Sequence, residues 1–191
     1  MAFQIAQDPA ADQVLTDSAF ALLAGMALDQ QYPMEHAFRG PAKILERLGT
    51  IDPRDIAAAE PEAFAALCAQ TPAVHRFPGS MAGKLQALAQ LIVDEYDGDT
   101  ARLWNEAVDG KDLLKRMTAL PGFGKQKAQI FVALLAKQVG VRPAGWEAVV
   151  GDYALDGYRS VADVVDGDSL LKVRAYKQEK KAAAKVAAPK A

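Results

Sequence analysis

The sequence has little cysteine, no long apolar run and almost no strand-forming pattern, and each shortage excludes a class of protein. Cys68 is the single cysteine in 191 residues, which rules out an internal disulfide framework and a cysteine-ligated iron–sulfur cluster. The longest apolar run covers residues 19–28, about half of the roughly 20 residues that a membrane-spanning helix needs. The N-terminal residues contain no basic stretch followed by an apolar one, as a secretory signal would. We therefore expect a cytoplasmic protein without a membrane partner.

Charge is distributed unevenly along the chain. The net charge is −2, yet residues 172–191 hold seven basic residues and one acidic residue. Residues 1–171 hold 15 basic and 23 acidic residues, and such an acidic body is a poor general binder of polyanions, so any contact with nucleic acid must be local or aided by the tail. We predict one folded domain over residues 1–171 and a basic Ala/Lys-rich tail over residues 172–191, disordered or transiently helical.

Apolar residues recur at helical spacing, which predicts an all-α fold, a compact two-lobed bundle of short helices. Gly and Pro residues punctuate the pattern and predict helices at residues 16–30, 35–48, 53–58, 61–69, 81–96, 100–108, 110–119 and 125–138. Thr16 or Asp17 is the predicted start of the first helix, and Ser80 is the predicted N-cap of the helix over 81–96. Beyond Gly140 the pattern weakens, and only short helices within residues 160–165 and 169–176 are predicted.

The stretch LPGFGKQKA, residues 120–128, joins two of these helices as a hairpin. Pro121 ends the first helix, while Gly122 and Gly124 permit a positive φ and the close approach of a ligand to the backbone. The free amides at the start of the second helix would point outward with the positive end of its dipole, which favours an anion such as phosphate. Lys125 and Lys127 add positive charge. Spacing alone is equally consistent with a plain tight connection whose lysines face solvent.

Three segments in order resemble the helix-hairpin-helix (HhH-GPD) DNA glycosylase superfamily. LPGFGKQKA is similar to the hairpin of that superfamily, Leu-Pro-Gly-apolar-Gly followed by variable and small residues. LLAGMALDQQYP, residues 22–33, resembles its early core helix, which ends in a glutamine near the lesion. RFPGSMAGKLQALAQLI, residues 76–92, resembles the segment in which a short loop precedes a helix that carries a basic residue. More narrowly, the chain resembles small HhH-GPD-type base excision DNA repair proteins.

The resemblance implies a DNA glycosylase that binds double-stranded DNA with a damaged base and acts as a monomer. The nucleotide is flipped into a cleft between two helical lobes, and the damaged or mispaired base is removed. The residues implied in DNA binding are Gly122, Phe123, Gly124, Lys125, Lys127, Gln31 and Lys84, with Gln31 filling the vacated space. Those implied in the base pocket are Gln30, Tyr32, Phe77 and Trp146, although core packing is the alternative for each aromatic. A monovalent cation at the hairpin carbonyls is also implied.

The catalytic aspartate of the superfamily lacks a clear counterpart, since its usual pattern, apolar-Asp followed by a polar residue and His, does not occur. The corresponding region is VRPAGWEAVVGDY, residues 141–153, where Glu147 and Asp152 are the candidate acids. At the position of the lysine nucleophile of bifunctional relatives stands Gln126, so we expect a monofunctional N-glycosylase, if an enzyme. A non-catalytic DNA-binding module and a helical interaction protein with the same fold remain the alternatives. His36 and His75 have no partners at ligand spacing, so no metal site is predicted.

Overall fold

The computed structural model describes residues 2–187, with side chains as far as residue 184, and contains helices but no strand within that range. This confirms the all-α prediction. The helices are α1 (Pro9–Asp17), α2 (Ala19–Leu28), α3 (Met34–Leu48), α4 (Pro53–Ala58), α5 (Pro61–Ala69), α6 (Pro78–Tyr96), α7 (Arg102–Asn105), α8 (Gly110–Thr118), α9 (Lys125–Leu134), α10 (Trp146–Val150) and α11 (Gly167–Ala187). A π-helical turn, Leu135–Val139, extends α9, and 3-10 turns occupy Gly151–Ala154 and Val161–Asp163.

The N-terminal end differs from the prediction, because α1 was not foreseen and α2 starts later than Thr16 or Asp17. Asp8 caps α1, since its carboxylate accepts the amides of Ala10 and Ala11, both at 3.1 Å. Ser18 separates the two helices and caps α2 by accepting the Ala21 amide at 3.1 Å. The apolar pattern of residues 16–30 therefore belongs to two helices, with the break at a residue that prefers the N-cap position.

The start of α6 is a second difference, since the helix begins at Pro78 rather than after Ser80. Proline suits the first position of a helix because its fixed φ is already helical and its missing amide would have no partner there. Pro78, Gly79 and Ser80 therefore belong to the first turn of α6, and Phe77, with φ −122° and ψ 69°, precedes it. This brings the exposed Phe77 ring to the start of a 19-residue helix.

The most apolar helix, α2, is at the centre of the fold as its composition predicts. Every residue from Phe20 to Leu28 is buried, and α3 and α6 pack against the helix. Gly25 allows a close approach, because a Cβ atom there would lie 2.6 Å from Cδ1 of Phe38 on α3. The end of α2 is thus held rigidly, and the polar residues that follow it have fixed positions.

The α8–α9 hairpin packs as a unit against α10. Phe123, in the hairpin itself, is 6% exposed and meets the buried Phe131 of α9 edge-on, with ring centroids 6.1 Å apart. Trp146 is also buried, and a Cβ atom at Gly110 would lie 2.6 Å from the Trp146 backbone nitrogen. These contacts anchor the hairpin from beneath and leave its backbone at the surface.

The basic C-terminal segment is helical through Ala187, as part of α11. Its first turns are docked, since Leu170 and Val173 are buried and Arg174 pairs with Glu35 of α3. Alanine and lysine have high helix propensity, so the helix continues once this start is fixed. None of the helices within the described residues is both long and apolar enough to cross a membrane.

Candidate functional site

The backbone amides at the start of α9 are free. Within residues 2–187, the amides of Lys125, Gln126 and Lys127 have no acceptor, and Gly124 in the N-cap position offers no side chain. A Cβ atom at Gly124 would meet no atom within 4 Å, so nothing in the described part of the chain covers this end. The hairpin therefore presents three unpaired donors and the positive end of the α9 dipole to solvent, which is an arrangement suited to an anion.

The turn before these amides exposes carbonyl groups. Gly122 has a φ of +79°, a left-handed conformation that glycine adopts without strain. The carbonyl oxygens of Pro121, Gly122 and Phe123 accept no hydrogen bond from the described residues, whereas that of Leu120 accepts the Phe123 amide at 3.1 Å. Oxygen atoms of this kind are the ligands that hard cations prefer.

Lys84 of α6 lies beside the hairpin. Its Cδ atom is 3.6 Å from the position of a Cβ atom on Gly122, and its ammonium group donates to Oε1 of Gln30 at 3.2 Å. Lys125 is exposed at the start of α9. Two of the lysines predicted to bind DNA are thus at the hairpin, Lys125 on the turn of the free amides and Lys84 beside Gly122, and their charge reinforces the anion site.

A cleft of about 800 Å³ opens next to the hairpin, within the size range of small-molecule sites. Its walls come from the end of α2, the first turn of α9, the segment 150–153 and α11. Among the residues that line it are Asp29, Tyr32, Lys127, Asp152, Tyr153 and Tyr176. Gln126 and Lys127 therefore contribute their amides to the anion site and also line the cleft.

Lys127 extends into this cleft. Its ammonium group donates to the carbonyl oxygen of Ala27 at 2.9 Å and lies 5.4 Å from the centre of the Phe123 ring. Burial lowers the pKa of Lys127 to about 8, and the nearby Asp29 opposes this shift. Lys127 was expected among the phosphate ligands on the hairpin surface, but its side chain is inside the cleft.

Asp29 is a cleft residue to which the sequence pattern gave no role. It follows the last residue of α2 and is half-buried, and burial raises the pKa of its carboxyl group, while the charges of Lys177 and Lys127 act in the opposite direction. Perturbed ionisable groups that face each other in a cleft are typical of functional sites. The signal available in the sequence was a lone acid at the end of an apolar helix.

The two acids predicted from the sequence have different surroundings. Asp152 is exposed and lines the cleft, whereas Glu147 is exposed and does not line it. Trp146, predicted for the base pocket, is buried near Gly110 of α8 and does not line the cleft. Asp152 and Tyr153 are the polar side chains of this region that reach the cleft.

Between the cleft and the start of α6 is a lip that consists of three other predicted residues, Gln30, Gln31 and Phe77. Gln31 is exposed with a positive φ of 54°, an uncommon conformation for a residue other than glycine. Phe77 is 48% exposed, and a hollow of about 280 Å³ separates it from Gln30 and Gln31. Gln31 and Tyr32 also line the main cleft, and the ring of Tyr32 is 4.6 Å from that of His75.

His75 connects the parts of this lip. It is fully buried, and its Nδ1 atom accepts the Phe77 amide at 3.0 Å, which leaves Nε2 to donate to the carbonyl oxygen of Gln30 at 3.1 Å. Acceptance at Nδ1 requires the neutral ring, in agreement with burial, which lowers the pKa of His75. His75 thus fixes Gln30 and Phe77 relative to each other.

Comparison with protein families agrees with this geometry. The family model described as HhH-GPD superfamily base excision DNA repair protein matches residues 24–188, a range that contains the hairpin, the lip and the cleft. Comparisons with curated proteins and with solved structures give no match. The family implies DNA binding and a glycosylase-like role in base excision repair. The chain belongs to the HhH-GPD superfamily of base excision DNA repair proteins.

Proposed function

We propose that the protein is a DNA N-glycosylase that removes a damaged or mispaired base from double-stranded DNA. The free amides of α9 bind a backbone phosphate, and the nucleotide next to it is extruded into the cleft. One observation carries the proposal: a single turn of α9 contributes unpaired amides to the surface and Lys127 to a nucleotide-sized cleft. Phosphate and extruded nucleotide would therefore be held by neighbouring residues.

The lip supplies groups that can occupy the gap left in the duplex. Extrusion of a nucleotide costs a few kcal/mol, least for a damaged or mismatched pair. The exposed Phe77 ring can stack on a neighbouring base, a contact worth about 1–3 kcal/mol, and Arg76 lies over its other face at 4.6 Å. Gln31, exposed beside it, is the side chain that would fill the space. In this proposal Phe77 acts on the stack outside the cleft, and Tyr32 contacts the extruded base.

We assign Asp29 as the catalytic carboxylate. Cleavage of the bond between base and sugar develops positive charge on the sugar, and a carboxylate in a poorly solvated cleft stabilises that charge more than an exposed one does. Asp152, on the rim of the same cleft, is the second candidate. Glu147 does not line the cleft, and we assign it no part in the chemistry.

The hairpin carbonyls are suited to a monovalent cation. Those of Pro121, Gly122 and Phe123 are without hydrogen-bond partners among the described residues, and a cation bound there would add positive charge beside the phosphate. We include this cation in the proposal as an aid to binding. The extruded nucleotide and the chemistry depend on side chains of the cleft.

The experiment that tests the proposal is an abasic-site assay with a panel of duplexes. The panel contains uracil, alkylated purines, oxidised guanine and mismatched adenine, each beside a matched undamaged duplex. We expect abasic product from at least one lesion. Binding to all duplexes without product from any would instead indicate a non-catalytic DNA-binding module, the alternative that the missing aspartate motif raises.

Lys127 favours a second activity of the same cleft, cleavage at the abasic site that base removal leaves. Its neutral amine can attack the C1′ aldehyde with loss of water to form an imine, which borohydride reduces to a stable cross-link. Because burial lowers the pKa of Lys127 to about 8, the neutral fraction rises steeply between pH 7 and about 9. We expect the yield of trapped complex on an abasic duplex to rise over the same interval.

The control for this prediction is Lys125, which is exposed on the same turn. Lys127→Gln should abolish trapping, whereas Lys125→Gln should weaken DNA binding and leave the pH profile of trapping unchanged. Absence of any trapped complex at every pH would mean that the enzyme is monofunctional, as the residue at position 126 predicts.

A further inference from the structure

The C-terminal helix α11 forms one wall of the cleft, and the proposed function gives this wall no role. Tyr176, Lys177 and Lys180 all line the cleft, although they belong to the basic segment that composition alone describes as a tail. Their spacing explains this position. Val173, Tyr176, Lys177 and Lys180 are separated by three, one and three residues, and therefore lie on one stripe of the helix.

The stripe begins in the core and continues over the cleft. Val173 is fully buried, and Lys180 lies about 10 Å further along the helix axis, at 1.5 Å per residue. Tyr176 is half-buried between them. Its hydroxyl group accepts a hydrogen bond from Arg159 at 3.3 Å, and the guanidinium carbon of Arg159 is 5.8 Å from the ring centre. The wall is therefore held in place at Val173 and Tyr176.

A second attachment fixes α11 to α3. Arg174 pairs with the carboxylate of Glu35, which is 7% exposed on α3. Because α3 follows directly after the lip residues, this ion pair ties α11 to the opposite side of the cleft. The wall is consequently a fixed part of the fold at Lys177 rather than a segment that samples many positions.

The ammonium groups on the wall are open to a ligand, although the charge of Lys177 also acts on the carboxyl group of Asp29 without forming an ion pair with it. Lys177 and Lys180 are exposed and form no ion pair or hydrogen bond with any described residue, and Lys180 lies 5.6 Å from the Tyr176 ring. Together with Lys127 and Arg159, they give the cleft four cationic groups against the acids Asp29 and Asp152. A cleft with this balance favours an anionic ligand.

We propose that Lys177 and Lys180 bind the phosphates that flank the extruded nucleotide, so that α11 is part of the specific binding site. The inference rests on the proposed function, because it supplies the anion that the wall binds. The hairpin amides hold the strand at one end of the cleft, and the two lysines hold it at the other. A nucleotide rotated out of the duplex carries its flanking phosphates toward the cleft, whereas an intact duplex keeps them in the regular backbone.

The test compares two duplexes and two double variants of the full chain. One duplex is undamaged, and the other carries a tetrahydrofuran abasic analogue, which has no base to unpair and is extruded easily. Lys177→Ala/Lys180→Ala removes the proposed contacts. Lys172→Ala/Lys181→Ala removes the same charge from α11 at residues that do not line the cleft. All four lysines are exposed, and the one hydrogen bond that the changes remove, from Lys172 to the hydroxyl group of the exposed Tyr158 at 3.3 Å, is on the surface, so neither variant disturbs the core.

We expect wild-type protein to bind the analogue duplex more tightly than the undamaged one. In the Lys177/Lys180 variant, the ratio of the two affinities should fall by roughly fivefold to tenfold. For the analogue duplex, the slope of log affinity against log salt concentration should become shallower by about 2. The Lys172/Lys181 variant should weaken binding to both duplexes equally and keep the preference. Fluorescence anisotropy over a salt titration measures each quantity.

The outcomes separate the two proposals. Wild-type protein without any preference for the analogue would overturn the proposed extrusion, and the inference with it. A wild-type preference that both double variants retain equally would overturn the inference alone and leave the glycosylase proposal standing.

Discussion

Gly124→Asp will weaken the binding of duplex DNA by roughly tenfold to a hundredfold, about 1.4–2.8 kcal/mol. Gly124 occupies the N-cap position of α9, and a Cβ atom there would meet no neighbouring atom within 4 Å. An aspartate at an N-cap accepts the free amides of the following turn, so it would occupy the donors that the phosphate needs. Its negative charge would also repel the phosphate.

The same substitution should leave the protein as stable as before or more stable. The φ of Gly124 is −82°, a conformation that any residue adopts, and an aspartate cap stabilises a helix relative to glycine by a few tenths of a kcal/mol. Loss of binding together with an unchanged or higher melting temperature would therefore exclude misfolding as the cause.

Gly124→Ala and Gly124→Asn are the matched controls for this prediction. Alanine leaves the amides free and should bind DNA nearly as well as glycine, whereas asparagine caps the amides without charge and should give an intermediate loss. Anisotropy titrations at several salt concentrations would measure the series. Equal affinity of the aspartate and alanine variants would show that the phosphate is bound elsewhere.

The positions of most helices were predictable because each boundary depends on a local signal. The predicted helices at 53–58 and 61–69 have the bounds that the structure gives to α4 and α5, since Pro53 and Pro61 mark their first positions. The hairpin was predictable for the same reason, since Pro121 and the two glycines act through the backbone alone. Helix α1 carries an equally local signal, Asp8 followed by Pro9, and could have been found from it.

The contents of the cleft were not predictable because they depend on which elements meet in space. Lys127 and Asp29 are 98 positions apart in the sequence, and the contact of Lys127 with Ala27 exists because the first turn of α9 packs beside the end of α2. Spacing on α9 alone gave Lys127 the same role as Lys125. Burial separates the two lysines, and burial is decided by the neighbouring helices.

Helix α11 illustrates how composition can hide a pattern. Residues 172–191 are rich in alanine and lysine, which predicts a solvated segment when the residues are counted. The order of the residues contains more information, because Val173, Tyr176 and Lys180 fall on one stripe that the structure places against the body of the protein. In the sequence, Val173 and Tyr176 are the only signs of that stripe among many lysines and alanines.

The largest effect is expected for Asp29→Asn, which should lower the rate of base removal by about 10²–10⁴-fold with little change in DNA affinity. Asparagine keeps the size of the side chain and removes the charge that stabilises the developing cation on the sugar. The free amides, Lys84 and Lys125 are untouched, so phosphate binding should persist. Single-turnover kinetics on the lesion that gives product, with binding measured in parallel, would separate the two quantities.

Stability should not fall in this variant, which distinguishes a catalytic from a structural role. Because burial raises the pKa of Asp29 above its usual 3.8, the folded state binds more protons than the unfolded state between these two pKa values. The free energy of unfolding therefore decreases as the pH rises through that interval. Asp29→Asn has no such group, so its stability should depend less on pH there and equal or exceed that of the wild type at neutral pH.

Asp29→Asn should also lower the pKa of Lys127, and this gives an internal check on the assignment. The charge of Asp29 raises the pKa of Lys127 against the effect of burial, so its removal should move that pKa below 8. Borohydride trapping on an abasic duplex should then begin at a lower pH than in the wild type, while base removal is lost. Asp152→Asn and Glu147→Gln are the controls, and neither should shift the trapping profile as far. Full base removal by Asp29→Asn, with loss in Asp152→Asn, would transfer the catalytic role to the rim of the cleft.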